Sequence, residues 1–409
     1  MPGTEKENQE FSQRQEKERL AAKKAERQLR IEQREWERKA QEYERQEREE
    51  ELRQRTERNA IHADATAARR EYLKPAQGMI ASNLHSYAFV KQDGTVDAFH
   101  NFFSSDGTPG DVSRFTNIKA VVCTDDGIVG LRNNGTCIAT NPGRYCASPL
   151  WEVNNWSDVR ALAAGDHHVV GLRSNGTCVA TSIKSNTGYG YDGQSDVSGW
   201  TDIVAIACGG SFTMGLKSNG TVVYTGAPDA REAQNWKDIA LIAASVRGAV
   251  GVTKAGKVVS AGKINISAME RAENIVQVGV CGGLAYALQA DGSLVGGRAP
   301  SYDPTKKIVV AEQVIAIAYG DALIALKEDG HVQNYGFVRS MVNLPSGYRL
   351  FNSYDKLMKD KIAAQKAQKQ REQQQKAYRD AGVCQYCGGT FKKSLFGCKC
   401  TKCGTKKDY

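Results

Sequence analysis

The chain repeats one short sequence unit at a nearly constant interval. Alignment on the glycine of an Asn-Gly or Asp-Gly type of turn gives seven copies, at intervals of 41, 41, 44, 36, 36 and 38 residues. The turn glycines are Gly94, Gly135, Gly176, Gly220, Gly256, Gly292 and Gly330. A fixed period of this length is typical of repeat architectures, in which each unit buries its apolar face against its neighbours. The period therefore restricts the chain to folds built from stacked or closed similar units.

Apolar residues recur at fixed distances from each turn glycine. Four residues before it stand Val90, Leu131, Leu172, Leu216, Val252, Leu288 and Leu326. Fourteen residues before it stand Ile80, Val121, Leu162, Ile206, Ile242, Val278 and Ala316. Alternation around these positions predicts strands, and the turn chemistry predicts hairpins between them. Each unit is then a small antiparallel sheet, and seven such units predict a mainly β fold, a seven-bladed β-propeller over residues 75–350.

The opening of several units resembles a known repeat. Trp156-Ser157-Asp158-Val159, Trp200-Thr201-Asp202-Ile203 and Trp236-Lys237-Asp238-Ile239 resemble the repeats of the regulator of chromosome condensation family, and Phe115-Thr116-Asn117-Ile118 is a weaker version. Units six and seven lack the aromatic residue, and unit one lacks the opening. The short repeats are similar to those of bacterial members. This resemblance implies a seven-bladed propeller, and it favours a loop face that holds a protein partner.

Charged segments flank the repeats. Residues 1–74 hold 19 basic and 18 acidic residues, and their composition, without an interior Gly or Pro, predicts a helix. Ala22, Leu29, Trp36 and Tyr43 recur every seven residues, which is half of a coiled-coil seam. A solvated single helix and a self-associating coiled coil both remain open, because the second half of the seam is missing. A second charged helix is predicted over residues 351–380.

The tail, residues 381–409, carries two Cys-x-x-Cys pairs twelve residues apart. Cys384, Cys387, Cys400 and Cys403 have the spacing of a four-thiolate zinc site, so we predict a small zinc ribbon with structural Zn²⁺. Disulfides or free thiols are the alternative. Cys398 is surplus and could replace Cys400 as a ligand. So small a domain has little core, so its metal would supply the folding free energy.

Basic residues surround these cysteines. Residues 351–409 hold 14 basic and 5 acidic residues, so the net charge of +9 lies in this segment. Lys392, Lys393, Lys406 and Lys407 are candidates for contact with nucleic acid, because basic residues near aromatic ones suit a phosphate backbone and bases. A solvated basic face, or a contact with an acidic protein, explains the same pattern.

Loop positions of the repeats supply candidate partner-binding residues. The segment before the second strand and the segment after the third strand of each unit are expected to reach one end of the propeller. The candidates there are Phe102, Phe103, Tyr145, His167, His168, Tyr189, Tyr191, Arg247 and Tyr302. Aromatic residues and arginine are the usual anchors of protein interfaces, although packing between blades is the alternative for each of them.

The sequence shows none of the common catalytic motifs, so a non-enzymatic binding or scaffold protein is the first expectation. Guanine-nucleotide exchange on a small GTPase, the role of the family's founding member, and nucleic-acid association through the tail are the alternatives. No apolar run is long enough to cross a membrane, and the N-terminus lacks the apolar core of a signal peptide. We therefore expect a cytoplasmic protein, with the scattered cysteines of the repeats buried as small apolar residues.

Overall fold

The computed structural model describes residues 5–83, 86–100, 111–140, 149–182, 192–269, 271–297, 309–320, 322–335, 344–345, 347–394, 397–403 and 405. The chain divides into two compact units, Met1–Ala65 and Thr66–Tyr409. The boundaries of the four segments that were expected from the sequence stay predictions.

Helix α1 runs from Glu5 to Gln77. In the first unit it is a surface helix, with ion pairs such as Arg30–Glu26 at 2.8 Å and with Trp36 71% exposed. Its last turns belong to the second unit and continue through Pro75, where the sequence analysis expected the first blade to begin. The apolar Leu73 and Ala76 explain this difference, because both are fully buried in the core and hold the last turn helical despite the proline.

Within the described residues, the repeats form seven antiparallel sheets, one per copy, each with its strands in chain order. The first four sheets contain β1 (Ile80–Ser82), β2 (Ser86–Val90) and β3 (Val96–His100); β4 (Ile118–Thr124), β5 (Gly127–Arg132) and β6 (Cys137–Ala139); β7 (Val159–Ala164), β8 (Val169–Arg173) and β9 (Cys178–Ala180); β10 (Ile203–Cys208), β11 (Phe212–Lys217) and β12 (Val222–Gly226).

The last three sheets contain β13 (Ile239–Ser245), β14 (Gly248–Thr253) and β15 (Val258–Gly262); β16 (Ile275–Cys281), β17 (Leu284–Gln289), β18 (Leu294–Gly296) and β19 (Val309–Ala311); β20 (Val314–Ala318), β21 (Ile324–Lys327) and β22 (Val332–Asn334). Short 3₁₀ helices at Leu150–Asn155, Pro228–Asn235 and Ser267–Met269 connect some of them. The prediction that each repeat forms a small antiparallel sheet is confirmed.

The turn glycine explains why each copy forms a hairpin. Gly220 has φ +86°, and the other six turn glycines have φ between +79° and +85°, a conformation that residues with a Cβ rarely adopt. Beside it, Asn219 Oδ1 accepts hydrogen bonds from the Thr221 amide at 2.9 Å and the Thr221 hydroxyl at 2.7 Å. The same side-chain bonds recur at Asn134 and Asn175. The Asn-Gly-Thr triplets therefore act as turn residues.

The turn of one sheet also joins the next sheet. The carbonyl oxygen of Gly220 accepts a hydrogen bond from the Ile239 amide at 2.9 Å, and the turns of the first, second, third and sixth sheets make the equivalent bond. The residue before that donor, Asp238 in this case, has φ +56°. Asp and Asn tolerate this left-handed conformation, which explains the Asp of the Trp-x-Asp opening.

The first strands of successive sheets contact one another around the whole series. β1 contacts β4, and the contacts continue through β7, β10, β13, β16 and β20 back to β1. One core cluster contains buried residues of the first, second, sixth and seventh sheets. Cys123, Cys137, Cys178, Cys208 and Cys281 are buried, and burial raises the pKa of Cys123 and Cys208 to about 12. The interpretation of these cysteines as small core residues fits their burial.

The end of α1 and the segment after the seventh sheet meet beside the first and last sheets. Tyr354 is buried, packs edge-on against Tyr72 with ring centroids 5.4 Å apart, and donates its hydroxyl proton to the Tyr72 carbonyl at 2.9 Å. Tyr348 packs against Phe89 of the first sheet at 5.1 Å and donates to Asp97 at 2.7 Å. We call residues 66–77 and 347–357 the clasp.

Helix α2 (Tyr354–Asp380) begins in the clasp, with Ser353 as N-cap, and is otherwise largely exposed. It leads to a hairpin of β23 (Phe391–Ser394) and β24 (Gly397–Cys400). No described helix is apolar enough over sufficient length to cross a membrane.

Candidate metal centre and loop face

Four cysteine sulfurs of the tail converge on one point. The Sγ atoms of Cys384, Cys387, Cys400 and Cys403 all lie within 4.8 Å of one another. Cys384 Sγ lies 3.5 Å from Cys403 Sγ, and Cys387 Sγ lies 3.4 Å from Cys400 Sγ. These sulfurs come from both Cys-x-x-Cys pairs, so the two pairs face each other as the spacing predicted.

The local backbone places these thiols. The Cys384 carbonyl accepts a hydrogen bond from the Gly388 amide at 2.7 Å, and Gly388 has φ +68°, so the first pair closes a tight turn that glycine permits. In the second pair, the Lys402 amide donates to Cys400 Sγ at 3.4 Å. Pairing of Phe391 with Cys400 in the hairpin brings the second turn back towards the first.

This donor set fits a metal ion of zinc type. Four thiolates at tetrahedral zinc, each about 2.3 Å from the ion, lie slightly under 4 Å apart, close to the separations found here. The hydrogen bond with the Thr405 hydroxyl lowers the pKa of Cys403 to about 6, which favours its thiolate, whereas the neighbouring cysteine sulfurs help to raise the pKa of Cys387 to about 12. The cluster includes Cys400. Cys398 pairs with Lys393 across the hairpin, and its side chain lies outside the described ones.

Each sheet of the repeats brings two loop segments to one end. In the fourth sheet, Phe212 at the start of the second strand pairs with Gly226 at the end of the third strand. In the fifth sheet, Gly248 pairs with Gly262 in the same way. The strand order of each sheet therefore brings these two segments to the same end, which is the expected loop face. It contains the turn between the first and second strands of each sheet and the segment that leaves the third strand.

The first turns of neighbouring sheets form a continuous rim on this face. Asn83 Nδ2 donates to Asp125 Oδ1 at 3.1 Å, and the Asp125 amide donates to the Asp166 carbonyl at 2.8 Å. The Asp166 amide then donates to the Gly210 carbonyl at 3.3 Å. A Cβ built on Gly210 would lie 3.0 Å from Val246 Cγ2, so the fifth sheet joins the same rim. The rim thus links the first five sheets.

The two adjacent histidines of the rim differ in environment. His167 Nδ1 lies 3.2 Å from Asp126 Oδ2. Burial lowers the pKa of His167, but the bond to Asp126 and the nearby carboxylates raise it more, so this pKa lies above its usual value. The prediction of a surface role for His168 needs correction: its side chain is fully buried, and its Nε2 lies 2.9 Å from Thr213 Oγ1. His168 directly precedes β8 and is buried, whereas His167 lies in the bend before it and is half-buried, so only His167 reaches the surface.

Arg247 is exposed on the rim beside Val246, which is 48% exposed. The other loop candidates lie outside the described residues: Phe102, Phe103, Tyr145, Tyr189, Tyr191 and Tyr302. Their role stays a prediction.

Two exposed apolar residues were absent from the sequence-based candidates. Val246 stands in a first turn, and Trp151 is 54% exposed in the 3₁₀ helix between the second and third sheets. The next residue, Glu152, accepts hydrogen bonds from the amide and hydroxyl of Ser182 at the end of the third sheet. Trp156 opens the repeated Trp-x-Asp motif and is packed, whereas Trp151 stands outside that motif. This difference in the sequence could have identified Trp151 as a candidate surface residue.

The basic candidates of the tail lie on or after the hairpin. Lys392 pairs with Lys399 across β23 and β24, and both are exposed. Lys393 lies in β23, whereas Lys406 and Lys407 lie outside the described residues.

No protein-family model matches the chain, and no curated protein matches it. Several solved structures are similar to it. The ectodomain of the receptor kinase CR4 from Physcomitrella patens has a TM-score of 0.46 at 16% identity, over 66% of this chain and 75% of that chain. The CRINKLY WD40 ectodomain of the Arabidopsis thaliana receptor kinase ACR4 has a TM-score of 0.44 at 16% identity, over 67% and 98%.

Prp20p from Saccharomyces cerevisiae, the yeast RCC1 protein, has a TM-score of 0.46 at 12% identity, over 64% of this chain and 82% of that chain. Its binding properties to Gsp1p and histones have been described, and it has been seen bound to Kap60. The similar structures thus include a protein of the type that the repeats resemble. At scores and identities this low, they carry no argument about what this chain binds.

Proposed function

We propose that the chain is a non-enzymatic binding protein whose seven sheets are the blades of one propeller and whose loop face holds a protein partner. The observation that carries this proposal is the continuous rim of first turns. Hydrogen bonds from Asn83 to Asp125, from Asp125 to Asp166 and from Asp166 to Gly210 fix the segments of the first four sheets relative to one another, so a partner would meet a preorganised surface and little ordering entropy would be lost on binding.

The chemistry of the rim suits a protein. It offers the exposed Val246 beside the cationic Arg247, and it also carries the half-buried His167, whose ring is paired with the largely buried carboxylate of Asp126. An apolar contact within a ring of polar and charged groups is the usual arrangement of a protein interface. The aromatic candidates of the neighbouring loops would enlarge this surface.

The four-cysteine cluster completes the proposal as a structural Zn²⁺ site. Cys384, Cys387, Cys400 and Cys403 would hold the ion, which would supply cross-links between the two Cys-x-x-Cys turns. Four protein thiolates leave no coordination position for a substrate, so the site suits stability and not catalysis. The hairpin would then offer a second contact through exposed lysines such as Lys392 and Lys399.

Affinity capture with matched variants tests the loop face. The full chain and its Val246→Asp/Arg247→Glu variant are immobilised, treated with nuclease and exposed to native lysate. The control is Ile362→Asp/Lys366→Glu on α2, where Ile362 is 47% exposed, nearly the same as Val246. We expect a protein that binds the wild type and the control, and that binds the rim variant at least about tenfold more weakly once purified.

Equal binding of that purified protein to the wild type and the rim variant would contradict the proposal. A captured small GTPase whose nucleotide release the full chain accelerates would instead identify an exchange factor. Capture that is lost with nuclease would show that nucleic acid mediates it, which would contradict a direct protein contact of the loop face.

A further inference from the structure

The end of the sheets opposite the loop face has an uneven distribution of charge. We call it the turn face; it contains the Asn-Gly or Asp-Gly turns and the start of each first strand. In the second to fifth sheets it comprises residues 115–120 and 132–137, 156–161 and 173–178, 200–205 and 217–222, and 236–241 and 253–258. These four sheets form its basic half.

The basic half carries eight basic residues and three acidic ones, Asp158, Asp202 and Asp238. The basic residues are Lys119, Arg132, Arg160, Arg173, Lys217, Lys237, Lys254 and Lys257. All eight are exposed or half-buried, and none forms an ion pair with a described residue. Three of these four sheets have a basic residue three residues before the turn glycine, Arg132, Arg173 and Lys217, as the first and seventh sheets do with Lys91 and Lys327. The charges therefore recur from sheet to sheet along the face.

The sixth, seventh and first sheets have the opposite charge on this face. Their turns and strand starts contain Glu273, Asp291, Glu312, Glu328, Asp329 and Asp93, against Lys327 and Lys91 as basic residues of the turns. This acidic half already has a basic occupant, the end of α1. Arg69 forms an ion pair with Glu328 at 3.0 Å, and Arg70 donates to the Ile275 carbonyl at 3.0 Å.

Equivalent residues of the two halves differ in solvent exposure. Val276 in the sixth sheet and Ile315 in the seventh are the second residues of their first strands and are 1% and 0% exposed. Val204, at the same position of the fourth sheet, is 46% exposed. Among the described residues, basic side chains from the end of α1 contact the acidic half, whereas the basic residues of the other half form no ion pairs.

Several basic side chains of this half are accessible to an anion. Lys237, Lys254 and Lys257 are exposed, whereas the Nε of Arg173, which has no hydrogen-bond partner among the described residues, is buried. Arg160 reaches from the third sheet to the Ile203 carbonyl of the fourth at 3.0 Å, yet the residue as a whole stays exposed. Guanidinium groups in such positions can form paired hydrogen bonds with phosphate oxygens.

We propose that the basic half of the turn face binds the phosphate backbone of a nucleic acid. A polymer with one negative charge per nucleotide matches cations that recur from sheet to sheet, and release of its counterions drives such binding. The face lacks the exposed aromatic anchors of a protein interface: Trp156, Trp200 and Trp236 are buried or half-buried against strand glycines. The contacts are to phosphate, so sequence preference is expected to be weak.

Binding of the full chain to fluorescent single-stranded RNA and to short duplex DNA tests this proposal over a range of salt concentrations. The variant is Arg173→Gln/Lys217→Gln/Lys237→Gln/Lys254→Gln, at side chains without intramolecular hydrogen bonds among the described residues. The control removes the same charge from α2, as Lys359→Gln/Lys366→Gln/Lys369→Gln/Lys376→Gln. A third variant, Lys392→Gln/Lys399→Gln/Lys402→Gln, removes the charge of the hairpin.

We expect the face variant to bind at least about tenfold more weakly, with the slope of log Kd against log salt reduced by about 3, and the control to bind as the wild type does. The melting temperature of each variant shows that it is folded. The stronger of the RNA and DNA arms identifies the nucleic acid. The proposal is overturned if the wild type binds neither probe, if only the hairpin variant loses affinity, or if polyglutamate competes as well as nucleic acid, which would indicate an acidic protein.

Discussion

At the scale of single residues, the repeats pair an aromatic side chain with a strand glycine. A Cβ built on Gly215 would lie 2.8 Å from Cε3 and Cζ3 of Trp200, and one built on Gly251 would lie 2.8 Å from Trp236 Cζ3. The sixth sheet has Ala272 at the aromatic position and Ala287 at the glycine position. The glycine is therefore required by the ring that covers it and not by the backbone conformation.

Gly215→Ala is expected to destabilise the protein by about 1–3 kcal/mol, because the added methyl group overpacks a ring that has no room to move. Thermal or urea unfolding measures the loss. In the Trp200→Ala background, which recreates the pair of the sixth sheet, the same change should cost much less. An equal cost in both backgrounds would show that the ring is not the cause.

His168 gives the fold a dependence on pH. Burial lowers its pKa from the usual 6.5 to about 3. Below about pH 6.5 the unfolded chain binds a proton at this residue that the folded chain cannot bind, so stability falls as pH falls. His167 acts in the opposite direction, because its pKa is raised on folding and its contribution is lost as pH rises.

We expect His168→Gln to lose about 2 kcal/mol less stability than the wild type between about pH 6.5 and pH 5. Chemical unfolding at both pH values measures this difference, and His331→Gln, at a partly exposed histidine, serves as the control. Parallel pH profiles for the wild type and His168→Gln would rule out His168 as the source of acid sensitivity.

At the scale of elements, the tail hairpin has almost no core of its own. Cys384 and Cys400 are its only buried apolar residues among those described. The hairpin therefore depends on the cross-links that a metal ion would supply, whereas the sheets of the repeats have large apolar clusters.

We expect one bound zinc ion per wild-type chain and none in Cys384→Ser/Cys403→Ser, because this variant has two thiolates in place of four. Elemental analysis of the purified protein measures the metal, and circular dichroism should show that the β signal of the repeats persists. Cys398→Ser is the matched control and should keep its zinc. Retention of zinc by the double variant would refute the ligand assignment.

The clasp is the second element whose effect can be measured. Tyr354 is 1% exposed and contacts Tyr72 and Phe351. Tyr354→Ala should cost about 3–5 kcal/mol in unfolding experiments, since it leaves a large cavity at the meeting of the chain ends. Tyr386→Ala, at a tyrosine that is 60% exposed, should have little effect. Similar costs for both variants would mean that the clasp contributes nothing specific.

At the scale of the whole molecule, the repeats depend on closure. The first and last sheets share one core cluster, and no strand is exchanged between them among the described residues. Side-chain packing and the clasp therefore join the two ends. The fourth strand of the sixth sheet, β19, comes from the segment that leads to the seventh sheet, so these two sheets depend on each other.

A chain that ends before Thr305 loses β19 and the entire seventh sheet. We expect it to lack cooperative thermal unfolding, because the core of the first sheet then opens to water. A chain that ends at residue 381 lacks only the hairpin and should melt as the full chain does. Cooperative melting of the shorter chain would count against closure by seven sheets.

The sequence by itself determined the sheets, because period, alternation and turn chemistry are local properties of the chain. The turn at Gly220 and the convergence of Cys384, Cys387, Cys400 and Cys403 follow from residue type and spacing within a few residues. Only the tertiary structure decided which side chains are exposed. It buried His168, placed Val276 and Ile315 in the same buried cluster as Leu73 and Ala76 of α1, and left Val204 open, although Val276, Ile315 and Val204 are each the second residue of a first strand. Exposure depends on contacts between residues far apart in the chain, such as Arg69 with Glu328, and no local pattern encodes those contacts.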